Sequence, residues 1–274
     1  MAASDTVVIE RLTAADVDAG MALSTEAGWN QTADDWLHFI VEGQAFGVRD
    51  AAGRLVASAA ALPYDGPLGF VSMVLVMPQW RRRGLATSLV DRCVEELRVR
   101  DLVPVLDATA AGVEVYRKQG FLGQFGFDRW QGMADGRHGE QAHALTAADI
   151  VPLDAAVSGA SRDRLIGDFL ARPGTAVIGD ESGFAMLRAG RRAAQAGPVI
   201  ASGEDAAIDL IQQLFALAKG LLFIDVPSVW RRIGNWLTAR GFEIQRSFTR
   251  MALGRAEPFS QPNRLFAVAG PEFG

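Results

Sequence analysis

Three consecutive arginines followed by a glycine, Arg81-Arg82-Arg83-Gly84, combine residue types that bind anions. They follow an apolar run at residues 70–77, which predicts a buried strand, and they precede a segment with helical spacing of apolar residues at 85–97. Amide groups at a helix N-terminus lack intrahelical acceptors and lie at the positive end of the helix dipole. Together with three guanidinium groups, they predict a site for a phosphorylated ligand.

Predicted strands and helices alternate around this turn. The helices of the first half are predicted at residues 14–23, 85–97 and 113–119. The strands are predicted at residues 45–49, 54–62, 70–77 and 103–107, with a final strand pair at 121–130. Helices placed between strands in this way predict an α/β or α+β fold.

The second half of the chain repeats the first. Three anchors recur in the same order: LTAADV at 12–17 as LTAADI at 145–150, Leu106-Asp107 as Ile224-Asp225, and Gly120-Phe121 as Gly241-Phe242. Because the order is kept, tandem duplication explains them better than chance similarity does. The second repeat is predicted to contain a helix at 205–217, a strand at 221–226, a helix at 229–239 and a strand at 242–253.

We divide the chain into two domains on this basis, residues 1–131 and 142–274. The linker between them is residues 132–141, which are rich in glycine, histidine and aspartate. His138, Glu140 and His143 do not have the spacing or the helical pattern of the His-Glu-x-x-His zinc motif. We therefore predict no metal site here.

The composition limits the classes of partner. Apolar residues make up 49% of the chain and charged residues 22%, which supports a packed core. A net charge of −5 argues against coating nucleic acid, because that requires a basic face. No apolar run approaches the roughly 18 residues of a membrane helix, and residues 1–5 lack the features of a signal peptide. With a single cysteine, Cys93, the chain is predicted to be cytoplasmic, with no nucleic-acid or membrane partner.

Two motifs resemble those of a known superfamily. Arg81-Arg82-Arg83-Gly84-Leu85-Ala86 is similar to Arg/Gln-x-x-Gly-x-Gly/Ala, and Tyr116-Arg117-Lys118-Gln119-Gly120-Phe121 is similar to Tyr-x-x-x-Gly-Phe. Both patterns belong to the GNAT superfamily of N-acetyltransferases. The resemblance covers about residues 7–131 and, more weakly, the rest of the chain. It implies two tandem GNAT-like domains, each a mixed sheet flanked by helices, with acetyl-CoA as the co-substrate.

The resemblance assigns the acetyl-CoA site to the strand and the turn. Main-chain groups of Val74, Leu75 and Val76 are expected to contact the pantetheine arm, provided that a bulge opens the strand pairing. The pyrophosphate is expected on the turn and helix start, formed by Arg81, Arg82, Arg83, Gly84, Leu85, Ala86 and Thr87. The alternative is that the arginines are a solvated charge run at the start of a helix.

Two residues are candidates for proton transfer. In the family, the phenol that matches Tyr116 lies near the thioester sulfur and protonates the departing thiolate; the alternative is a tyrosine that only packs. Asp107 is a candidate general base because of its place in the chain. Asp225 occupies the same place in the second repeat, so a shared structural role is the alternative for Asp107.

The acceptor region is expected near residues 28–36, because this stretch resembles the acceptor-side helices of some bacterial members. Trp29 and Trp36 are predicted to line the acceptor pocket, with core packing as an equal alternative. Three carboxylates lie in the same region and are otherwise surface residues: Glu26, Asp34 and Asp35.

The second repeat lacks the arginine turn. Gly203-Glu204-Asp205 stands in its place, and two carboxylates would repel a pyrophosphate. Leu237 replaces Tyr116. We therefore predict that this domain is a degenerate copy with a structural or acceptor-shaping role, and that the chain has one active site. The apolar residues 266–274 are predicted to be docked at the domain junction.

These observations predict an N-acetyltransferase. It would transfer the acetyl group of acetyl-CoA to a primary amine of a small molecule or a peptide, by direct attack within a ternary complex. The alternatives are a non-catalytic acyl-CoA-binding sensor or interaction protein, and an enzyme that uses an alcohol acceptor or a longer acyl group. The identity of the amine and the oligomeric state stay open.

Overall fold

The structure, a computed structural model, describes residues 8–136 and 145–274. The described residues form two compact units, one of residues 8–63 and 69–104, the other of residues 64–68 together with the chain from 105 onwards. Strands and helices alternate in both units, which confirms the predicted α/β class. His138, Glu140 and His143 lie outside the described residues.

The first unit is an antiparallel sheet with helices packed on it. Its elements are β1 (Glu10–Arg11), α1 (Val17–Glu26), α2 (Ala33–Val41), β2 (Gln44–Arg49), β3 (Leu55–Pro63), β4 (Leu68–Val76), whose first residue belongs to the second unit, and α3 (Leu85–Arg98). The strands follow the order β1-β2-β3-β4, and each neighbouring pair is antiparallel. A capping box begins α2, in which Asp35 N donates to the Thr32 hydroxyl and Thr32 N donates to the Asp35 carboxylate.

Helix α3 buries one face and leaves the other in water, as its sequence periodicity predicts. The buried positions recur every three or four residues: Leu85, Leu89, Val90, Cys93 and Leu97. This face packs against β2 and β3. Burial raises the pKa of the Cys93 thiol, so the cysteine is a small hydrophobic core residue, as expected.

The second unit holds the remaining elements. They are β5 (Val103–Thr109), whose first two residues belong to the first unit, α4 (Ala110–Lys118), β6 (Phe121–Asp135), α5 (Ala147–Ser158), α6 (Asp163–Ala171), β7 (Ala176–Asp180), β8 (Gly183–Arg188), β9 (Ala194–Ile200), α7 (Glu204–Leu217), β10 (Lys219–Pro227), α8 (Arg231–Thr238), β11 (Glu243–Leu253) and β12 (Leu265–Ala267). The strand order is β5-β11-β6-β10-β9-β8-β7, with β12 paired to β9.

The two repeats exchange strands within this sheet. Strand β11 of the second repeat lies between β5 and β6 of the first, and β6 in turn lies between β11 and β10. The strand pair predicted at 121–130 is therefore wrong, because one strand runs unbroken from Phe121 to Asp135. Residues 132–135, which we placed in the linker, pair with β10, since ladder hydrogen bonds to a distant strand outweigh the local glycine-rich composition.

The apolar segment near residue 274 is docked, as predicted. Phe266, Val268 and Phe273 have no exposed surface. The Tyr64 hydroxyl donates to the Phe273 carbonyl oxygen at 2.6 Å, and the Arg162 guanidinium donates to the same oxygen at 3.2 Å. The segment therefore contacts residues of both sequence repeats. Within the described part of the chain, no helix is both long and apolar enough to cross a membrane.

Candidate functional site

Strand β4 contains a β-bulge, the feature on which the expected main-chain contacts of residues 74–76 depend. The register shifts between Ser58 and Ala60 of β3, so that Met73 and Val74 of β4 face a single residue. Met73 has a left-handed backbone with φ of 52°, and the Ser58 hydroxyl donates to its carbonyl oxygen at 2.8 Å. A bulge interrupts the ladder and frees backbone groups of the strand. The bulge interrupts the ladder at Met73 and Val74, whereas Leu75 and Val76 pair with Ser58 and Ala57, and main-chain binding by residues 74–76 stays a prediction.

The turn after β4 exposes the start of α3. Gly84 is the N-cap residue of this helix, with φ of 77°, and as a glycine it has no side chain with which to cap the helix. A Cβ at this position would meet nothing within 4 Å, so the left-handed backbone, and not lack of space, favours glycine. Arg82 is also left-handed, with φ of 61°. The turn is exposed and leads into a helix N-terminus whose N-cap residue is glycine, which agrees with the anion-binding prediction.

The three guanidinium groups are exposed around this N-terminus. Arg81 Nε donates to the Val76 carbonyl oxygen at 3.2 Å, and Arg83 Nη2 donates to the Gln79 carbonyl oxygen at 3.2 Å. The Arg83 guanidinium also lies over the Trp80 ring, 4.6 Å from its centroid. No carboxylate within residues 8–136 and 145–274 forms an ion pair with these arginines. Their charge is therefore not neutralised by the described residues.

A small cleft lies beside the turn in the first unit. It is formed by the end of α1 and the end of β4, and its lining includes Leu23, Glu26, Leu75, Val76 and Arg81. The structure therefore brings three predicted acetyl-CoA residues into one cleft together with Glu26. The Glu26 carboxylate accepts a hydrogen bond from another arginine, Arg54, at 3.0 Å.

The two predicted acceptor tryptophans differ. Trp36 is fully buried, and its indole nitrogen donates to the Ser24 hydroxyl at 3.1 Å. Its ring lies directly against Gly20, where an added Cβ would approach to 2.5 Å. Trp36 is therefore a core residue and does not line an open pocket, because α1 and α2 pack around it. Trp29 is half-buried in the connection between these helices, so its predicted role stays a prediction.

Tyr116 lies on α4 in the second unit and is half-buried. Its ring meets Phe121 edge to face, with 6.1 Å between centroids. Gly112, one turn earlier, leaves room for the ring, because a Cβ there would lie 2.9 Å from it. The packing fixes the ring, and the role of the hydroxyl in proton transfer stays a prediction.

Asp107 is occupied by an ion pair. The Arg250 guanidinium donates to both carboxylate oxygens, at 2.8 and 2.7 Å, and the Asp107 side chain has no exposed surface. Burial raises the pKa of Asp107, and the guanidinium opposes that increase. Arg129 of β6 and Asp225 of β10 form the equivalent pair, which also joins the two repeats, with both distances 2.8 Å. This geometry favours the structural role over the general base.

Carboxylates of the second repeat fill the place of the arginine turn. Helix α7 begins after Gly203, and the Glu204 carboxylate accepts from the amide of Ile233 at 3.3 Å. Asp205 forms an ion pair with Arg232. Acidic side chains in the first turn lie at the positive end of the helix dipole, which is where a phosphate would otherwise bind.

The cleft of the second repeat also contains its own chain. Strands β9 and β10 correspond to β4 and β5, and they pair in parallel only at residues 194–196 and 222–224. Beyond that point, Ala267 pairs with Val199 of β9, and the amide of Val268 donates to the Asp225 carbonyl oxygen of β10 at 3.0 Å. An added Cβ on Gly197 would lie 2.2 Å from the Val268 carbonyl oxygen. Backbone therefore fills the space between these strands.

Sequence reasoning missed the arginine partners of the two aspartates. Arg250 is 143 residues from Asp107, and Arg129 is 96 residues from Asp225. A signal was present, because an aspartate and an arginine recur at equivalent places in apolar strands of both repeats. A buried charge is costly unless an opposite charge pairs with it, so an aspartate and an arginine in buried strands indicate an ion pair.

Family comparisons agree with this architecture. A model described as "Acetyltransferase (GNAT) family" matches residues 14–121, and one described as "Acetyltransferase (GNAT) domain" matches residues 150–267. The two matches together cover more than four fifths of the chain. With the fold and the strand–turn–helix site, they define the class: the chain belongs to the GNAT acetyltransferases and contains two GNAT domains in tandem.

Individual relatives span most of the chain. The chain is 25% identical over 240 residues to the uncharacterized N-acetyltransferase YitH of Bacillus subtilis strain 168. The aligned region covers 81% of this chain and 83% of the relative. A provisionally assigned acetyltransferase from Pyrococcus horikoshii has a TM-score of 0.82 at 17% identity, covering 98% of this chain and 96% of that one. A tandem GNAT protein from the clavulanic acid biosynthesis pathway has a TM-score of 0.57 at 15% identity, covering 90% and 98%. At these identities, the solved structures support the fold alone.

Proposed function

We propose that this protein is an acetyl-CoA-dependent N-acetyltransferase whose first repeat carries the active site. The observation that carries the proposal is the bulged strand β4 leading into an exposed arginine turn at a helix N-terminus whose N-cap residue is glycine. The residues fit a phosphorylated co-substrate, because the helix start offers amide donors and the guanidinium groups carry no ion pair within the described chain. Acetyl-CoA supplies the activated acetyl group.

The chain's own groups divide the binding work. Arg81, Arg82 and Arg83, with the amides from Gly84 to Thr87, bind the pyrophosphate. Main-chain groups of residues 74–76 bind the pantetheine arm, next to the bulge that takes Met73 and Val74 out of the regular ladder. Their amides also polarise the acetyl carbonyl.

The reaction is direct transfer to an amine within a ternary complex. The neutral amine of a small molecule or a peptide attacks the thioester carbonyl carbon, so that a C–N bond forms and the C–S bond breaks. Tyr116 donates a proton to the departing thiolate, and the proton lost by the amine nitrogen passes to solvent, from which the phenol regains its own. Asp107 is not retained as the base, because its carboxylate is buried and engaged by Arg250. The second repeat is proposed to be degenerate, because its own carboxylates and backbone fill the corresponding turn and cleft.

The test is thiol release from acetyl-CoA by the full chain, measured across amino acids, polyamines, aminoglycosides and peptide amines. Replacing two of the three exposed arginines, in Arg82→Ala/Arg83→Ala, should raise the Kd for acetyl-CoA about tenfold or more, because each charged hydrogen bond contributes roughly 1.5–3 kcal/mol. Arg98→Ala, at the exposed far end of the same helix, is the control and should leave the Kd unchanged.

The outcomes separate the candidate functions. Thiol release that depends on an added amine supports the acetyltransferase. Binding of acetyl-CoA without thiol release for any acceptor would favour the non-catalytic sensor. Equal affinity in the wild type and the double arginine variant would contradict the assignment of the site to this turn.

A further inference from the structure

Helix α4, which carries Tyr116, is held at both ends by one strand of the second repeat. Before the helix, Thr109 of β5 pairs with Phe248 of β11. After it, the Gly120 carbonyl oxygen accepts a hydrogen bond at 3.0 Å from the amide of Gly254, the residue that comes directly after β11. Strand β11 of the second repeat, with the residue that follows it, therefore forms the framework that holds both ends of α4 in place.

A buried ion pair fixes the register of that framework. Arg250 of β11 binds both carboxylate oxygens of Asp107, two residues before the N-cap residue Thr109 of α4. The Arg250 guanidinium also lies 5.1 Å from the centroid of the Phe125 ring. A bidentate pair is directional, and a shift of either strand would leave a buried charge unpaired. The pair therefore sets where β5 ends and α4 begins.

A second buried ion pair of the same kind precedes a helix that carries no tyrosine at the equivalent position. Arg129 binds both oxygens of Asp225, which also accepts a hydrogen bond from the Gln195 amide at 3.0 Å. Strand β10 leads to α8, where buried Leu237 stands in the place of Tyr116. The two ion pairs match in chemistry, burial and topology, and they differ in the side chain carried by the next helix along the chain.

We propose that Arg250 is a positioning residue for the acetyl transfer: through Asp107 it fixes β5 and thereby places the Tyr116 hydroxyl. The inference rests on the proposed function, in which Tyr116 is the proton donor. Under this proposal, the second repeat contributes to the acetyl transfer that takes place in the first repeat. A purely structural role predicts equal consequences for the two ion pairs, whereas the positioning role predicts unequal ones.

The experiment compares the two pairs in the full chain. Arg250→Lys and Arg250→Gln are measured beside Arg129→Lys and Arg129→Gln for Tm, for kcat and for the KM of acetyl-CoA. All four should lower Tm, and each glutamine variant more than its lysine variant, because lysine keeps the charge but not the bidentate geometry. Only the Arg250 variants should lower kcat, by about tenfold in Arg250→Gln, with partial rescue in Arg250→Lys and KM within about twofold.

A double variant tests whether Arg250 acts through the phenol. Arg250→Gln in the Tyr116→Phe background should lower kcat little further, because the group that it positions is already absent. Equal loss of kcat in the Arg129 variants, or full additivity with Tyr116→Phe, would overturn the inference while leaving the proposed function intact. If Arg250→Gln does not fold, Arg250→Lys carries both comparisons. A wild-type chain that releases no thiol would refute the proposed function itself.

Discussion

The phenol of Tyr116 is the side chain on which the proposed proton transfer depends. Tyr116→Phe keeps the ring against Phe121 and removes only the hydroxyl. We expect kcat to fall by about 10²-fold, the lower end of the range for general acid catalysis, with the KM of acetyl-CoA little changed. Steady-state thiol release measures both.

The chain provides a matched control for that substitution. Its only other tyrosine, Tyr64, donates to the Phe273 carbonyl oxygen in a buried position. Tyr64→Phe should lower Tm, because a buried acceptor loses a partner, and it should leave kcat unchanged. Unchanged kcat in Tyr116→Phe would remove the phenol from the mechanism.

Single residues also show where sequence reasoning reaches its limit. The arginine turn is predictable, because its residues are adjacent and their order indicates a strand, a turn and a helix start. The roles of Asp107 and Trp36 are not, since each depends on a partner elsewhere in the chain, Arg250 and Ser24 respectively. The residue type determines which reactions a side chain can take part in, and its burial in the folded protein determines whether it is available for them.

At the scale of elements, the bulge in β4 links the strand to its proposed task. Ser58→Ala removes the hydrogen bond to the Met73 carbonyl oxygen and leaves that buried group without this donor, at a cost of about 1–3 kcal/mol. We expect a lower Tm and a raised KM for acetyl-CoA, because the bulge shapes the main-chain groups that we propose to bind it. Thermal unfolding and thiol-release kinetics check the two effects.

Ser24→Ala is the control for the bulge variant. Ser24 is another buried serine of the first unit, and its hydroxyl accepts from the Trp36 indole. The substitution should lower Tm without changing the KM of acetyl-CoA. A Ser58→Ala protein with a lower Tm and an unaltered KM would separate the bulge from cofactor binding.

The predicted elements differ in accuracy for a physical reason. Helix α3, predicted at residues 85–97, is observed at Leu85–Arg98, because its amphipathic period is a local property. Strand β6, predicted as a pair ending at residue 130, is observed as one strand ending at Asp135. Its length is determined by β10 and β11, and no local pattern indicates which distant strands will pair.

At the scale of the whole molecule, two GNAT domains are expected to bind one acetyl-CoA. The second repeat places Glu204 and Asp205 at its helix start and residues 265–268 between its strands. Calorimetric titration of the full chain should therefore give a stoichiometry of one, and Arg82→Ala/Arg83→Ala should weaken that single site. Binding of a second equivalent, or a site unaffected by these substitutions, would show that the second repeat retains a cofactor site.

The exchanged strands have a consequence for how such a chain arises and diverges. Strand β6 is flanked by β10 and β11, and β11 is flanked by β5 and β6, so neither repeat completes its sheet without the other. Between two separate copies of a single-repeat ancestor, the same arrangement would be a domain-swapped homodimer. Fusion of the copies would raise their effective concentration and remove the requirement that both stay identical. One copy would then be free to lose its arginine turn, provided that it kept donating the strand on which its neighbour depends.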